Sequence, residues 1–298
     1  MLKTELLGNT MKNPLIGASG TYGFGEEYAP FYDPAIIGGI SSKGLTLNPR
    51  PGNTGQRVYE TPSGMMNSIG LENPGVEHFI KEILPQMRKI DTVILANLGG
   101  HSVEDYLIAA EMLNDAAIDM IELNISCPNV ASGGMAFGLH CQDAAAITAK
   151  VKEVSRHKIV VKLSPNGDNP AELAKACEAA GADGISLVNT FQAMAVDVKN
   201  RRAVFDNVYA GLSGPGIFPI ALRMVRDTAR AVKIPVVGMG GIQSAEDVIA
   251  MIMVGARAVE IGTMNLVEPH IVPRLIADLE TYMEEENIGS LDEIRGMI

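Results

Sequence analysis

Eight times along the chain a short apolar run stops at a small or polar residue, and a stretch with helical spacing follows it. The runs lie at 15–18, 36–42, 92–97, 120–124, 159–163, 184–188, 235–239 and 258–261. Runs this short and rich in Val and Ile suit buried strands, and strands that alternate with helices pair in parallel because a parallel pair needs a long crossover. Eight such units within 298 residues predict an α/β architecture closed into a (β/α)8 TIM barrel. An open doubly wound sheet fits less well, since the chain has neither G-x-G-x-x-G nor a G-K-[ST] phosphate loop. We expect one barrel domain over 1–298, with a small insertion after the second strand.

Local signals fill in the connections. A helix over 171–180 would put Leu173, Ala176, Cys177 and Ala180 on one face, and Gly181 is a good stop. Ser244 followed by Asp247 predicts a capped start for a helix over 244–254. The stretch 44–74 is too long and too rich in Pro, Gly and Asn for a turn, so it reads as an excursion after strand 2, with 56–60 as one arm of a hairpin. Near the end, 276–285 predicts a surface helix, and Ser290 with Glu293 marks the start of a terminal one.

Composition narrows the partners. With 24 Lys and Arg against 35 Asp and Glu the formal charge is -11, which argues against nucleic acid or an anionic membrane as the main partner. No run approaches the ~20 apolar residues of a membrane span, and no basic cluster precedes an apolar segment at the N-terminus, so a cytoplasmic protein is expected. Cys127, Cys141 and Cys177 have no paired spacing, which disfavours a disulfide framework. Three thiols also cannot supply four ligands to an iron-sulfur cluster. The five histidines are scattered, and no metal site is expected.

The chemistry concentrates where the fourth run ends, at Asn124-Ile125-Ser126-Cys127-Pro128-Asn129. Ile121, Leu123 and Ile125 alternate with polar neighbours, and Pro128 cannot donate to a sheet ladder, so Cys127 should sit on a loop just past a strand. The small, glycine-rich residues after it suit a loop that covers a site. In a barrel all strand ends share one rim, which would gather Ser19, Lys43, Asn97, Asn124, Cys127, Lys162, Asn189 and Thr190. Gly240-Gly241 and Gly262-Thr263 follow strands 7 and 8, where barrels often hold phosphate. Lys43 and Lys162 would need an anionic or electron-rich neighbour to offset desolvation, and the asparagine amides suit the mixed donor and acceptor edge of a flat heterocycle.

Six segments, in order, resemble the dihydroorotate dehydrogenase family. They are Ile40-Ser41-Ser42-Lys43-Gly44, the stretch 60–71, the stretch 124–129, Val188-Asn189-Thr190, Gly211-Leu212-Ser213-Gly214-Pro215 and Gly240-Gly241-Ile242. Cysteine at 127 and the continuation after it resemble the class 1B catalytic subunit. The resemblance implies a barrel flavoenzyme of pyrimidine biosynthesis that oxidises dihydroorotate to orotate, with Cys127 taking the C5 proton while hydride leaves C6 for FMN. By the same resemblance Lys43, Asn67, Ser68, Ile69, Gly70, Leu71, Asn124, Asn189 and Thr190 hold substrate. Ser19, Lys43, Gly44, Asn97, Asn124, Lys162, Val188, Gly214, Gly240, Gly241, Gly262 and Thr263 would hold FMN. It further implies an electron-transfer partner subunit carrying FAD and a [2Fe-2S] cluster, NAD as acceptor, and a heterotetramer built on a dimer of this chain. Gly44 departs from the family's usual hydroxyl residue, so a side-chain contact to flavin is expected to be missing there. Alternatives are a class 1A fumarate-dependent homodimer, a dihydropyrimidine dehydrogenase-like module, and a catalytically silent flavin-binding subunit.

Overall fold

A computed structural model describes residues 1–126 and 137–298. Eight parallel strands close into a barrel: β1 (Leu15–Gly17), β2 (Gly39–Ser41), β3 (Val93–Leu98), β4 (Met120–Asn124), β5 (Lys158–Lys162), β6 (Gly184–Leu187), β7 (Val236–Met239) and β8 (Ala258–Ile261). Each pairs with its neighbours in sequence, and Val259 opposite Leu15 joins the last strand to the first. All eight expected runs are barrel strands. The largest boundary error is in the second, where Pro34–Ile36 forms a 3-10 turn instead of the start of the strand.

Strand pleating divides each run between two cores. Ile94, Ala96, Ile121, Leu123, Ile159, Val161, Ile185 and Val259 belong to the large cluster shared with the helices. The alternate residues Ile16, Val93, Leu95, Met120, Val160, Val237 and Ala258 form a separate cluster inside the barrel. The alternation in β4 therefore has the opposite sense to a half-solvated strand. Ile121 and Leu123 face helices, Glu122 and Asn124 face the barrel interior, and every residue of the strand is buried.

Two features lay outside the expected elements, and several expected ones differ in detail. Thr4–Leu6 and Asn9–Met11 form an antiparallel hairpin, turned by Leu7 and Gly8 at positive φ, that packs Leu6 and Met11 against the lower interior cluster. The excursion after β2 contributes Val58–Thr61 and Gly64–Asn67, close to the expected hairpin arm. These two strands join Tyr209–Ser213 and Phe191–Met194 from beyond β6 in one four-stranded sheet. That sheet brings Asn67 opposite Gly211 at the strand-end side of the barrel. The helix Pro170–Ala179 buries Leu173, Ala174 and Cys177, while Ala176 and Ala180 of the expected face are half-buried, and the chain turns at Gly181 with φ 95°. Ala245–Met253 carries the expected Ser244 and Asp247 capping box. Ile271–Glu285 starts earlier than expected, and the Ser290 capping box opens only a 3-10 turn, Leu291–Glu293. No helix among the described residues is long and apolar enough to cross a membrane.

Candidate active site

The inward face of the barrel changes character one pleat above its apolar layer. Two residues beyond Gly39, Leu95, Met120, Val160, Gly184 and Ala258 stand Ser41, Asn97, Glu122, Lys162, Ser186 and Glu260. All six are buried: Glu122 is 0%, Glu260 1% and Lys162 4% exposed, so none can rely on water to solvate its charge. The protein supplies partners instead. Ser41 Oγ and Asn97 Nδ2 each donate to Glu122 Oε2 at 2.6 Å, and Ser186 Oγ donates to Glu122 Oε1 at 2.7 Å. The Lys162 ammonium lies 3.3 Å from Glu260 Oε2 and 3.5 Å from Glu122 Oε2. Burial alone would raise the Glu122 carboxyl, but the Lys162 charge and its donors outweigh it and hold the group down at about 2. Burial and the neighbouring Glu122 charge act together on Glu260 and push it well above the carboxylate range. For Lys162, burial opposes the charge, and the two glutamates overcome it and raise the group.

This cluster is tied to the strand ends. Asn124 Nδ2 donates to Asn97 Oδ1 at 3.3 Å, and Asn124 Oδ1 accepts from the Ser126 N-H. Ser126 Oγ donates in turn to the carbonyl of Lys162 at 3.0 Å. Cys127 belongs to the segment 127–136, which lies outside the described residues, but both flanks of that segment are anchored at the end of β4. On one side stands Ser126. On the other, Gly138 packs so closely on Ile125 that a Cβ there would come within 2.4 Å of the Ile125 carbonyl oxygen, and Phe137 meets Tyr106 edge to face while Tyr106 Oη bonds the Asn124 carbonyl.

The expected substrate-binding residues outside the cluster are half-buried. Lys43, Asn67, Ser68, Ile69, Gly70, Leu71, Asn189 and Thr190 are all partly exposed, in contrast to Asn97, Asn124 and Lys162. Gly44 is buried against Asn97, Leu71 and Ser19, and a Cβ there would sit 3.1 Å from Asn97 Oδ1. The smaller residue at 44 therefore spares a close approach to the Asn97 amide. On the opposite wall Asn67 reaches the Gly211 carbonyl, and Gly211 lies so near Thr190 that a Cβ would come within 2.2 Å of Thr190 Oγ1. Gly214 and Gly241 meet through the Gly214 carbonyl, Val188 packs on Gly240, and Thr263 Oγ1 donates to or accepts from Ser213 Oγ at 2.8 Å. The glycines differ in what excludes a side chain. At Gly240 and Gly241 positive φ and the neighbours Ala221 and Phe218 do so, whereas at Gly262 a Cβ would meet only Ala18, at 3.9 Å. A depression of about 340 Å³ lined by Thr21, Tyr28, Phe31, Asn265 and Leu266 shares no residue with the charged cluster or with these half-buried residues.

Lys162, expected at the rim with a ligand to offset its charge, lies below it between two glutamates. Glu122 and Glu260 were missed as partners. The signal was available in the pleat: each stands at an inward position, as Lys162 does, and a charge inside a closed barrel requires an opposite charge within reach. Cys177 is buried in the helical layer with its thiol pushed up to about 11 by burial, and Cys141 is raised for the same reason with Asp168 beside it.

An eight-stranded parallel barrel whose strand ends present a charged, amide-lined mouth defines a (β/α)8 barrel of the enzyme-site type. The model of the family described as dihydroorotate dehydrogenase matches residues 1–283, and the chain belongs to that family. It is 49% identical over 296 residues to a protein of Petrotoga mobilis, covering 99% of each chain. It is 48% identical to a protein of Thermoanaerobacter pseudethanolicus, over 100% of this chain and 98% of that one, and 48% identical to one of Bacillus cytotoxicus, over 99% and 96%. All three relatives are named dihydroorotate dehydrogenase B (NAD(+)), catalytic subunit.

Proposed function

We propose that this chain oxidises dihydroorotate to orotate as the catalytic subunit of an NAD-linked enzyme of pyrimidine biosynthesis. The observation that carries the reading is the convergence of Gly44, Asn97, Asn124 and Lys162, distant in sequence, on one end of the barrel, with Leu71 against Gly44. Full-length similarity to three proteins bearing that name supports it.

The donor set suits FMN. Asn97 and Asn124 offer amide edges to a heterocycle, Lys162 brings a cation to an electron-rich ring, and Gly262, where a Cβ would meet nothing closer than Ala18 at 3.9 Å, with Thr263 is the proposed phosphate contact. Ser19, Lys43, Gly44, Val188, Gly214, Gly240 and Gly241 complete the proposed cofactor contacts. When bound, the flavin supplies an acceptor for the hydride from substrate C6. The chain's own part is to hold substrate through Lys43, the loop 67–71, Asn124, Asn189 and Thr190, and to take the C5 proton on Cys127. A thiol with an ordinary pKa of ~8.5 can serve as that base when its surroundings favour thiolate.

With only three cysteines in the sequence, a four-cysteine [2Fe-2S] cluster has to be housed elsewhere, in keeping with a partner subunit that also carries FAD. We place the assembly in the cytoplasm as a heterotetramer with a dimer of this chain at its centre, each copy a single barrel domain over 1–298.

Anaerobic titration with dihydroorotate tests the reading. The purified protein should be yellow and should bleach on addition of substrate, then pass electrons to NAD only when the partner subunit is present. A colourless protein indifferent to dihydroorotate would overturn it, and efficient fumarate reduction by the chain alone would replace the NAD-linked assignment. Cys127→Ala should keep its colour and lose ~10²–10⁴ in turnover, the usual contribution of a positioned general base; near-normal turnover would remove Cys127 from the mechanism.

A further inference from the structure

Two carboxyl groups and one ammonium share a space that water does not reach. Glu122, Lys162 and Glu260 are the charged groups that face one another there among the described residues, from β4, β5 and β8, and their other neighbours, Ser41, Asn97 and Ser186, are uncharged. With both carboxyls ionised the cluster would carry a net negative charge inside the barrel, which is costly to bury.

The hydrogen bonds distinguish the two carboxyls. Glu122 has three donors besides Lys162, spread over both oxygens, as expected of an ionised carboxylate that can only accept. Glu260 has the Lys162 contact on Oε2 and no partner on Oε1, although the atom is fully buried. Its Oε2 and Glu122 Oε2 lie 3.3 and 3.5 Å from the same ammonium nitrogen, so the two buried carboxyls are close neighbours. Two carboxylates cannot bond to each other, because neither has a donor; one proton between them supplies it.

We propose that Glu260 is a neutral carboxylic acid in the folded protein and donates its proton to Glu122, and that it acts as a positioning residue for Lys162. One negative and one positive charge then remain, and the cluster is neutral as a whole. Lys162 donates to Glu260 Oε2 at 3.3 Å and stays paired with the Glu122 carboxylate at 3.5 Å. Its full positive charge is opposed by a single carboxylate, so it can still stabilise an electron-rich ring; that consequence rests on the flavin reading, whereas the protonation of Glu260 does not.

Unfolding in denaturant across pH tests the proposal on the full chain as purified. An unfolded chain releases the Glu260 proton near the ordinary glutamate value of ~4.3, and the folded protein retains it. Above that value the native state binds one proton more than the unfolded state, so the stability from this group is complete below it and is lost as pH rises. Relative to Glu260→Gln, which mimics the neutral acid and cannot titrate, the wild-type folding constant should fall about tenfold per pH unit from mildly acidic to neutral pH. A wild-type to variant ratio that stays constant over that window would overturn the proposal. If the variant does not fold, the infrared spectrum of the wild-type protein decides: a carbonyl stretch of un-ionised carboxylic acid at neutral pH is expected, and its absence refutes the assignment. In flavin-loaded protein the reduction potential of Glu260→Gln should match wild type at neutral pH, while a rise would mean that a negative charge had been removed and Glu260 was ionised. A chain that holds no flavin would fail the functional reading and leave the first two measurements valid.

Discussion

On β4, Met120 and Glu122 point into the same barrel interior one pleat apart, yet their surroundings differ in kind. Met120 belongs to a layer of Ile16, Val93, Leu95, Val160, Val237 and Ala258, closed from below by Leu6 and Met11 of the N-terminal hairpin. Glu122 belongs to a layer of Ser41, Asn97, Lys162, Ser186 and Glu260. The lower layer is held by area removed from water and by filled volume, which are non-directional, so it tolerates any apolar set of the right size. The upper layer is held by donors, acceptors and one proton count, and each member is needed because its partners have no water to fall back on. Buried apolar area holds the first layer, and paired charges and hydrogen bonds hold the second.

The largest effect that would break this division is expected from Lys162→Met. It preserves apolar bulk but leaves buried carboxyls without their cation, and breaking a buried ion pair from one side costs about 3–5 kcal/mol. Denaturant unfolding should show that loss, together with weaker flavin retention. A variant of unchanged stability and colour would show that the upper layer does not depend on its charge. Leu95→Ala should act differently in the lower layer, where a fully buried leucine leaves a cavity worth roughly 2–5 kcal/mol. Flavin content should stay as in wild type, and a loss of flavin out of proportion to stability would mean that the two layers are mechanically coupled.

A smaller test sharpens the accounting in the upper layer. Ser186→Ala removes the donor to Glu122 Oε1, and a buried acceptor left without its partner costs about 1–3 kcal/mol. Measured by the same unfolding experiment, a cost near zero would indicate that Glu122 Oε1 finds another donor.

The same two layers explain what could be read from the residues alone. All eight strands were legible because their outward face must be apolar to meet the helices, and this marks each strand however its inner face varies. The mouth residues were legible only as strand ends and as members of motifs. What stayed hidden were pairings between distant segments. Asn67 lies opposite Gly211 in a sheet built from two loops, and neither segment carries a local pattern that specifies the other. The hairpin at Thr4–Leu6 and Asn9–Met11 is too short for a convincing period, although Gly8 in its turn hinted at it. Glu122 and Glu260 stood in plain view as single charges within strands. Recognising them required following the inward register across three strands and asking what neutralises Lys162, a question of proton and charge balance rather than of propensity.

The smallest expected effect, from Met120→Leu, separates the layers most cleanly. The exchange nearly conserves volume, so the cost should stay below about 1.5 kcal/mol. It should also be the same at neutral and at acid pH, because the lower interior cluster contains no ionisable group. One pleat above, Glu122 behaves in the opposite way. Its carboxyl is held at about 2 in the fold, against ~4.3 when free, so the unfolded chain takes up protons first as pH falls. Its contribution is complete above the ordinary carboxylate range and disappears as pH drops towards about 2. Unfolding of wild type and Met120→Leu at both pH values should therefore give pH dependences of the same shape with a constant offset. An offset that grows in acid would show that loosening the apolar layer lets protons or water reach Glu122, and that the lower layer also serves to keep the upper one dry.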